Sequence, residues 1–171
     1  MLLRKIPGLC AIAALTFCGA WSAASAHEYK VGSLVIEHPW SRATPKGAPV
    51  AGGYLVIRNE GAAADRLIAV ESEAAKSVQI HEMTMQDGVM RMRPLANGLE
   101  APAGGKAELT PGGNHLMFLD PVQPFEARAR IKAVLVFEKA GKVPVEFMVE
   151  PMGGAPKPEA EHGGGHEGMQ H

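Results

Sequence analysis

Short apolar and β-branched runs recur along this chain, separated by Gly, Pro, Asn and Asp. Runs of this length, bounded by turn-forming residues, are typical of β-strands. They lie at residues 34–36, 54–57, 67–70, 78–80, 115–119, 131–137 and 143–149. Helical periodicity is weak throughout, and residues 62–64 and 73–76 could form at most short turns of helix. About eight strands joined by turns predict an all-β domain, either a two-sheet sandwich or a Greek-key barrel.

A hairpin is predicted around Asp87-Gly88, which lies between two alternating runs. Asp-Gly suits a two-residue turn, because both central positions need positive φ. Met85 then pairs with Met90, and Met83 pairs with Met92. Side chains alternate along a strand, so one face of the hairpin carries sulfur and imidazole groups. That face carries His81, Met83, Met85, Met90 and Met92. The opposite face carries Glu82, Thr84, Arg91 and Arg93, with Glu82 facing Arg93.

The first 26 residues have the features of a secretory signal. Arg4 and Lys5 precede an apolar stretch over residues 6–21, and Ala24-Ser25-Ala26 fits a cleavage site. We therefore predict a signal peptide at 1–26 and a periplasmic mature protein. The alternative of an uncleaved membrane anchor is less favoured, because the apolar stretch is short for a span. Lipid attachment at Cys18 is disfavoured too, because bulky Phe17 precedes it.

Composition divides the rest of the chain into a β domain at 27–150 and a flexible tail at 151–171, which is rich in Gly, His and Met. Both cysteines lie in the signal, so the mature chain offers no thiolate ligand. Without Arg4 and Lys5, fifteen basic residues stand against eighteen acidic ones, a formal charge of about −3. The sequence contains no basic patch of the kind that binds nucleic acid. It contains no second apolar span either, so stable membrane insertion after signal cleavage is not expected.

Two His-x-Met pairs carry the candidate chemistry: His81-Glu82-Met83 and His115-Leu116-Met117. Thioethers are soft, neutral ligands that select Cu(I) over zinc, magnesium or calcium, and imidazole is an acceptable companion. Any one methionine is more often a gap-filling core residue. Their coincidence with two histidines in one small exported domain favours a Cu(I) site.

Several segments closely resemble the PCuAC-type periplasmic copper chaperones. They are 38–43, 78–83, 87–94, 98–105 and 111–117. The copper motif of that family is a histidine, ten residues, a methionine, about twenty-one residues and a His-x-Met. Here ten residues separate His81 from Met92, and twenty-two separate Met92 from His115, which is followed by Met117. The extra residue falls in a glycine-rich spacer, where it costs little.

The resemblance implies Cu(I) ligation by His81, Met92, His115 and Met117 in a cupredoxin-like β-barrel. It also implies delivery of copper toward the CuA centre of cytochrome oxidase. The expected partner is therefore a CuA-bearing oxidase subunit or another copper-trafficking protein. For the neighbouring Met83, Met85 and Met90, plain hydrophobic shielding is favoured over transient coordination.

The tail resembles the His- and Met-rich extensions of related chaperones, which predicts a Cu(II) site there. Its candidate ligands are His162, His166, Met169 and His171. A solubilising end without copper is the alternative. His27, as a new N-terminus, could chelate Cu(II) through its α-amine and imidazole, although an N-terminal histidine is often an accident of processing.

The expected function is a copper chaperone rather than an enzyme. A passive copper buffer or resistance protein would use the same ligands. A copper-dependent redox enzyme using His27 is the third possibility, but the sequence shows no general base beside the site.

Overall fold

A computed structural model of the protein describes residues 28–153, and this part of the chain forms eleven strands and no helix. The strands are β1 (Glu28–Val31), β2 (Leu34–Arg42), β3 (Val50–Asn59), β4 (Asp65–Glu71), β5 (Ala75–Gln86), β6 (Val89–Pro94), β7 (Leu99–Ala101), β8 (Lys106–Leu109), β9 (His115–Pro121), β10 (Arg130–Phe137) and β11 (Gly141–Glu150). The all-β prediction is confirmed. Within the same range, no helix is long and apolar enough to cross a membrane.

Several predictions concern residues beyond this range. The signal peptide at 1–26 and most of the tail lie outside the described residues, as do the candidate Cu(II) ligands His27, His162, His166, Met169 and His171.

One mixed sheet contains all the strands. Its hydrogen-bonded order is β6-β5-β9-β3-β2-β11-β10-β4-β7, with β1 added to β2 and β8 added to β3. The pairing of β2 with β11 is parallel, and the other pairings are antiparallel. This order has two ends, so hydrogen bonding among residues 28–153 does not close the sheet into a barrel.

The sheet branches at its two central strands. One edge of β3 pairs with β9 over Val50 to Gly53 and with β8 over Leu55 to Arg58. In the same way β2 pairs first with β1 and then with β11. Buried apolar side chains from β2 to β5 and from β7 to β11 join a single core cluster. The sheet therefore wraps around one core, and β9 and β5 lie on one side of β3.

Three phenylalanines fix β9 in that core. The ring of Phe118 lies 5.3 Å from that of Phe125 and 5.7 Å from that of Phe147, both edge-on. Rings at these distances and angles attract each other beyond the effect of burial alone. Gly53 of β3 allows the close approach, because a Cβ there would lie 2.7 Å from the Phe118 ring. The strand that begins at His115 is thus held from within the domain.

A buried carboxylate ties β4 to the turn between β10 and β11. Asp65 accepts hydrogen bonds from the backbone N–H groups of Arg66 (2.7 Å), Lys139 (2.9 Å) and Ala140 (2.9 Å). Burial acts to raise the pKa of Asp65. The three backbone hydrogen bonds, helped by the charge of Lys139, outweigh it and hold this pKa below its ordinary value. The folded state therefore favours the ionised form of Asp65.

Candidate metal centre

The β5–β6 hairpin has the predicted register. Met85 faces Met90 and Met83 faces Met92 across a two-residue turn. Asp87 and Gly88 have φ values of +52° and +76°, as that turn requires. On the opposite face, Glu82 and Arg93 form the predicted cross-strand ion pair. The methionine face of the hairpin is therefore confirmed.

Pairing of β5 with β9 brings the two histidines together. His81 lies directly opposite His115, and their ring centroids are 5.8 Å apart. The neighbouring pair, Ile80 and Leu116, points into the core. Alternation therefore sends both imidazoles to the other side of the sheet, yet each is only 7 % exposed. This pairing depends on the register of two strands distant in sequence, so no local pattern predicts it.

The backbone sets the tautomer of His115. Its Nδ1 lies 2.9 Å from the carbonyl oxygen of Gly113, which can only accept a hydrogen bond. Nδ1 therefore carries the proton in the neutral ring, and Nε2 keeps its lone pair. The Sδ atom of Met92 lies 3.2 Å from this Nε2. An imidazole nitrogen and a thioether sulfur thus meet at one point.

A neighbouring side chain sets the tautomer of His81. Nε2 lies 2.8 Å from Oε1 of Gln79 and donates a hydrogen bond to it. This leaves Nδ1 of His81 as a buried nitrogen with no hydrogen-bond partner. Burial, followed by the nearby His115, lowers the pKa of His81 below its ordinary value. The ring is accordingly neutral near pH 7, and its lone pair is available to a metal ion.

Met117 lies beside these three residues. It pairs with Gln79 across β5 and β9, so it lies two positions from His115 on the same face. Its side chain is half-buried. The contacts within the centre join His81, His115 and Met92, and Met117 borders this group at the next register position. Gln79 was missed in the sequence, although its position two residues before His81 places it on the same face.

The family follows from comparison with known proteins. The model of the family "Putative lipoprotein LpqE-like" matches residues 34–149, which include β2 to β10 and all but the last residue of β11. The chain belongs to the LpqE-like family. It is also 30 % identical over 156 residues to "Putative lipoprotein Lxx21020" of Leifsonia xyli subsp. xyli, covering 90 % of this chain and 93 % of that protein.

Solved structures confirm the resemblance to PCuAC domains. The apo PCuAC domain from PmoF1 and the copper-bound PCuAC domain from PmoF2 are each 34 % identical to this LpqE-like chain, with TM-scores of 0.62. Each match covers 73 % of this chain, and 99 % and 98 % of those domains. CuI-DR1885 from Deinococcus radiodurans shares the fold at 20 % identity and a TM-score of 0.53, over 74 % of this chain and 83 % of its own.

The side chains that meet at the candidate centre are imidazoles and thioethers. Between residues 28 and 153, no group of three or more His, Cys, Asp and Glu side chains comes together in a metal-binding arrangement.

The hairpin methionines are not core residues. Met85 is 66 % exposed, Met92 50 % and Met90 48 %, whereas Met83 is half-buried. A gap-filling role requires burial, so it does not account for the three exposed side chains.

Proposed function

We propose that this protein is an extracytoplasmic copper chaperone that binds Cu(I) through His81, Met92, His115 and Met117. The observation that carries the proposal is the state of the two imidazoles. Each has one ring nitrogen held by a hydrogen bond to an oxygen, while the second nitrogen has no partner in His81 and lies against the Met92 sulfur in His115. Histidine ligands of metals commonly have this arrangement, because the second hydrogen bond fixes both the tautomer and the orientation of the ring.

The donor set fits Cu(I) in its chemistry. Two neutral imidazoles and two thioethers bind a soft monovalent ion without losing a proton. The lowered pKa of His81 adds to this, because the ring does not have to be deprotonated first. His115 and Met92 already lie 3.2 Å apart, so an ion needs little rearrangement to engage both. The copper-bound domain from PmoF2, at 34 % identity, supports copper as the metal that this chain binds.

The centre also suits release. His81 and His115 are buried on β5 and β9, whereas Met92 is half exposed on β6, an edge strand of the sheet. An acceptor can therefore begin ligand exchange at Met92 while both imidazoles still hold the ion. This difference supports a carrier that hands its ion over one ligand at a time, and it requires no catalytic group.

The family supports a proposal for the cellular role. We propose that the protein acts in the periplasm and delivers Cu(I) toward the CuA centre of cytochrome oxidase or to another copper-trafficking protein. The names of its family and of the Leifsonia relative describe lipoproteins, which supports a place outside the cytoplasm. The proposal also includes Cu(II) binding by the tail histidines, which rests on composition.

Competition between the protein and a chromophoric Cu(I) chelator tests the site. Single alanine variants of His81, Met92, His115 and Met117 are compared with Met152→Leu, which alters an exposed methionine after the last strand. We expect His115→Ala to weaken Cu(I) binding by more than about 100-fold, or about 2.7 kcal/mol. Met152→Leu should bind as the wild type does. Wild-type affinity in all four alanine variants would disprove the site.

Transfer distinguishes a chaperone from a passive buffer, which would use the same ligands. The Cu(I)-loaded protein is mixed with an apo CuA domain, and a Cu(I)–chelator complex poised at the same free copper serves as the control. Faster metallation by the protein supports a chaperone. Equal rates would indicate a buffer.

A further inference from the structure

A second set of sulfur groups lies on the hairpin beyond the proposed centre. The set consists of Met83, Met85 and Met90, on the same face as Met92. No histidine of the proposed centre pairs with Met85 or Met90. The thioethers of Met85 and Met90 therefore lie apart from the two histidines, toward the hairpin tip.

The hairpin register brings these sulfur groups close together. In a two-residue hairpin, the residues flanking the turn, Gln86 and Val89, exchange backbone hydrogen bonds. The next pair, Met85 with Met90, is then a non-hydrogen-bonded pair, in which the Cα atoms are about 4.5 Å apart and the side chains approach most closely. Met83 and Met92 form the following pair of this kind, about 7 Å along the strands.

The exposure of the set calls for an explanation. All six residues of β6 are exposed, and Met85, opposite it, is the more exposed member of its pair. Exposed apolar side chains forgo about 25 cal/mol for each Å² that burial would remove from water. Met85 and Met90 are exposed and add little to the core, and Met83 beside them is half-buried. They do present soft ligands to any ion that approaches the hairpin.

We infer that Met85 and Met90, assisted by Met83, form a second Cu(I) position, which is weaker than the centre at His81 and His115. It is weaker because it has thioethers alone and no imidazole. Thioether sulfur is a ligand that selects Cu(I), so the position has the same ion preference as the main centre. The inference rests on the proposed function, because the Met83 and Met92 pair connects the two positions.

Methionine methyl signals test the inference in the full mature chain. The protein is labelled at the methionine methyl carbons and titrated with Ag(I), a redox-stable substitute for Cu(I). We expect the first equivalent to shift the signals of Met92 and Met117, and the second to shift those of Met85 and Met90. Met148 and Met152 lie outside the hairpin and serve as internal references.

The double variant Met85→Leu/Met90→Leu keeps both side chains apolar and of similar volume. It should lose the second binding step on the hairpin and keep the first, while Met152→Leu keeps both. If the signals of Met92 and Met117 shift with the first equivalent, but those of Met85 and Met90 do not shift as further Ag(I) is added, the second Cu(I) position is disproved and the main centre is retained. If Met92 and Met117 themselves do not respond, the proposed function fails instead.

Discussion

The contact between Gln79 and His81 leads to a sharp prediction about copper affinity. Gln79→Leu removes the acceptor that keeps the proton on Nε2 of His81. Without that acceptor the proton can move to Nδ1, the buried nitrogen without a hydrogen-bond partner. Nδ1 then has no free lone pair for the metal ion. The ring also loses one restraint on its orientation. We expect the variant to fold normally and to bind Cu(I) more weakly.

The size of the effect follows from the exposure of the partner. Loss of a residue that orients a metal ligand typically lowers metal affinity by 10–100-fold. Gln79 is exposed, so water can replace part of the hydrogen bond, and the effect should lie near the lower limit. We expect about a 10-fold loss, or about 1.4 kcal/mol, which matches the net value of one neutral hydrogen bond.

Chelator competition at pH 7 measures this difference. Gln79→Glu is the rescue variant, because its carboxylate can accept the same hydrogen bond and make the imidazole a stronger ligand, so affinity should be retained or increased. Gln86→Leu is the matched control: this exposed glutamine lies on the same strand, next to the turn. The reasoning fails if Gln79→Leu binds Cu(I) within twofold of the wild type, or if Gln86→Leu loses as much.

Two further predictions concern stability, measured by urea unfolding. Asp65→Asn should lower the free energy of unfolding by about 2–4 kcal/mol at pH 7, because a buried N–H loses its acceptor and the remaining hydrogen bonds lose their charge. The folded pKa of Asp65 is lowered, so its contribution is complete above the unfolded value of about 4 and is lost as pH falls through the folded pKa. The penalty in Asp65→Asn should therefore shrink in acid, and exposed Asp120→Asn should show none; a penalty independent of pH would contradict this. Gly53→Ala should cost about 1–3 kcal/mol, because the new Cβ would meet the Phe118 ring at 2.7 Å, and an unchanged urea midpoint would refute that packing.

Local rules explain why the hairpin was predictable. Asp87-Gly88 demands a two-residue turn, and that turn fixes every pair between β5 and β6. The position of Met92 diagonal to His81 follows from the same rule. Strand alternation similarly predicted that Leu116 and Phe118 point into the core, and both are fully buried.

The remaining features depend on contacts between distant parts of the chain. Pairing of His81 with His115 requires β5 and β9 to meet in one register, which no local pattern encodes. Strands β7 and β8 have three and four residues, too few to show a period of two. Their pairing with β4 and β3 gives them their extended form. The branching of the sheet at β2 and β3 and the two unpaired ends that leave the barrel unclosed have the same tertiary origin.

The place of β6 at the end of the sheet has a consequence for how the protein behaves in concentrated solution. An unpaired edge strand with apolar side chains is a template for association between molecules. Arg91 and Arg93 alternate with the methionines, and Pro94 ends the strand with no N–H to offer. Two such edges brought together would set arginines against arginines. The strand can therefore keep its sulfur atoms open to a small ion and still resist aggregation with copies of itself.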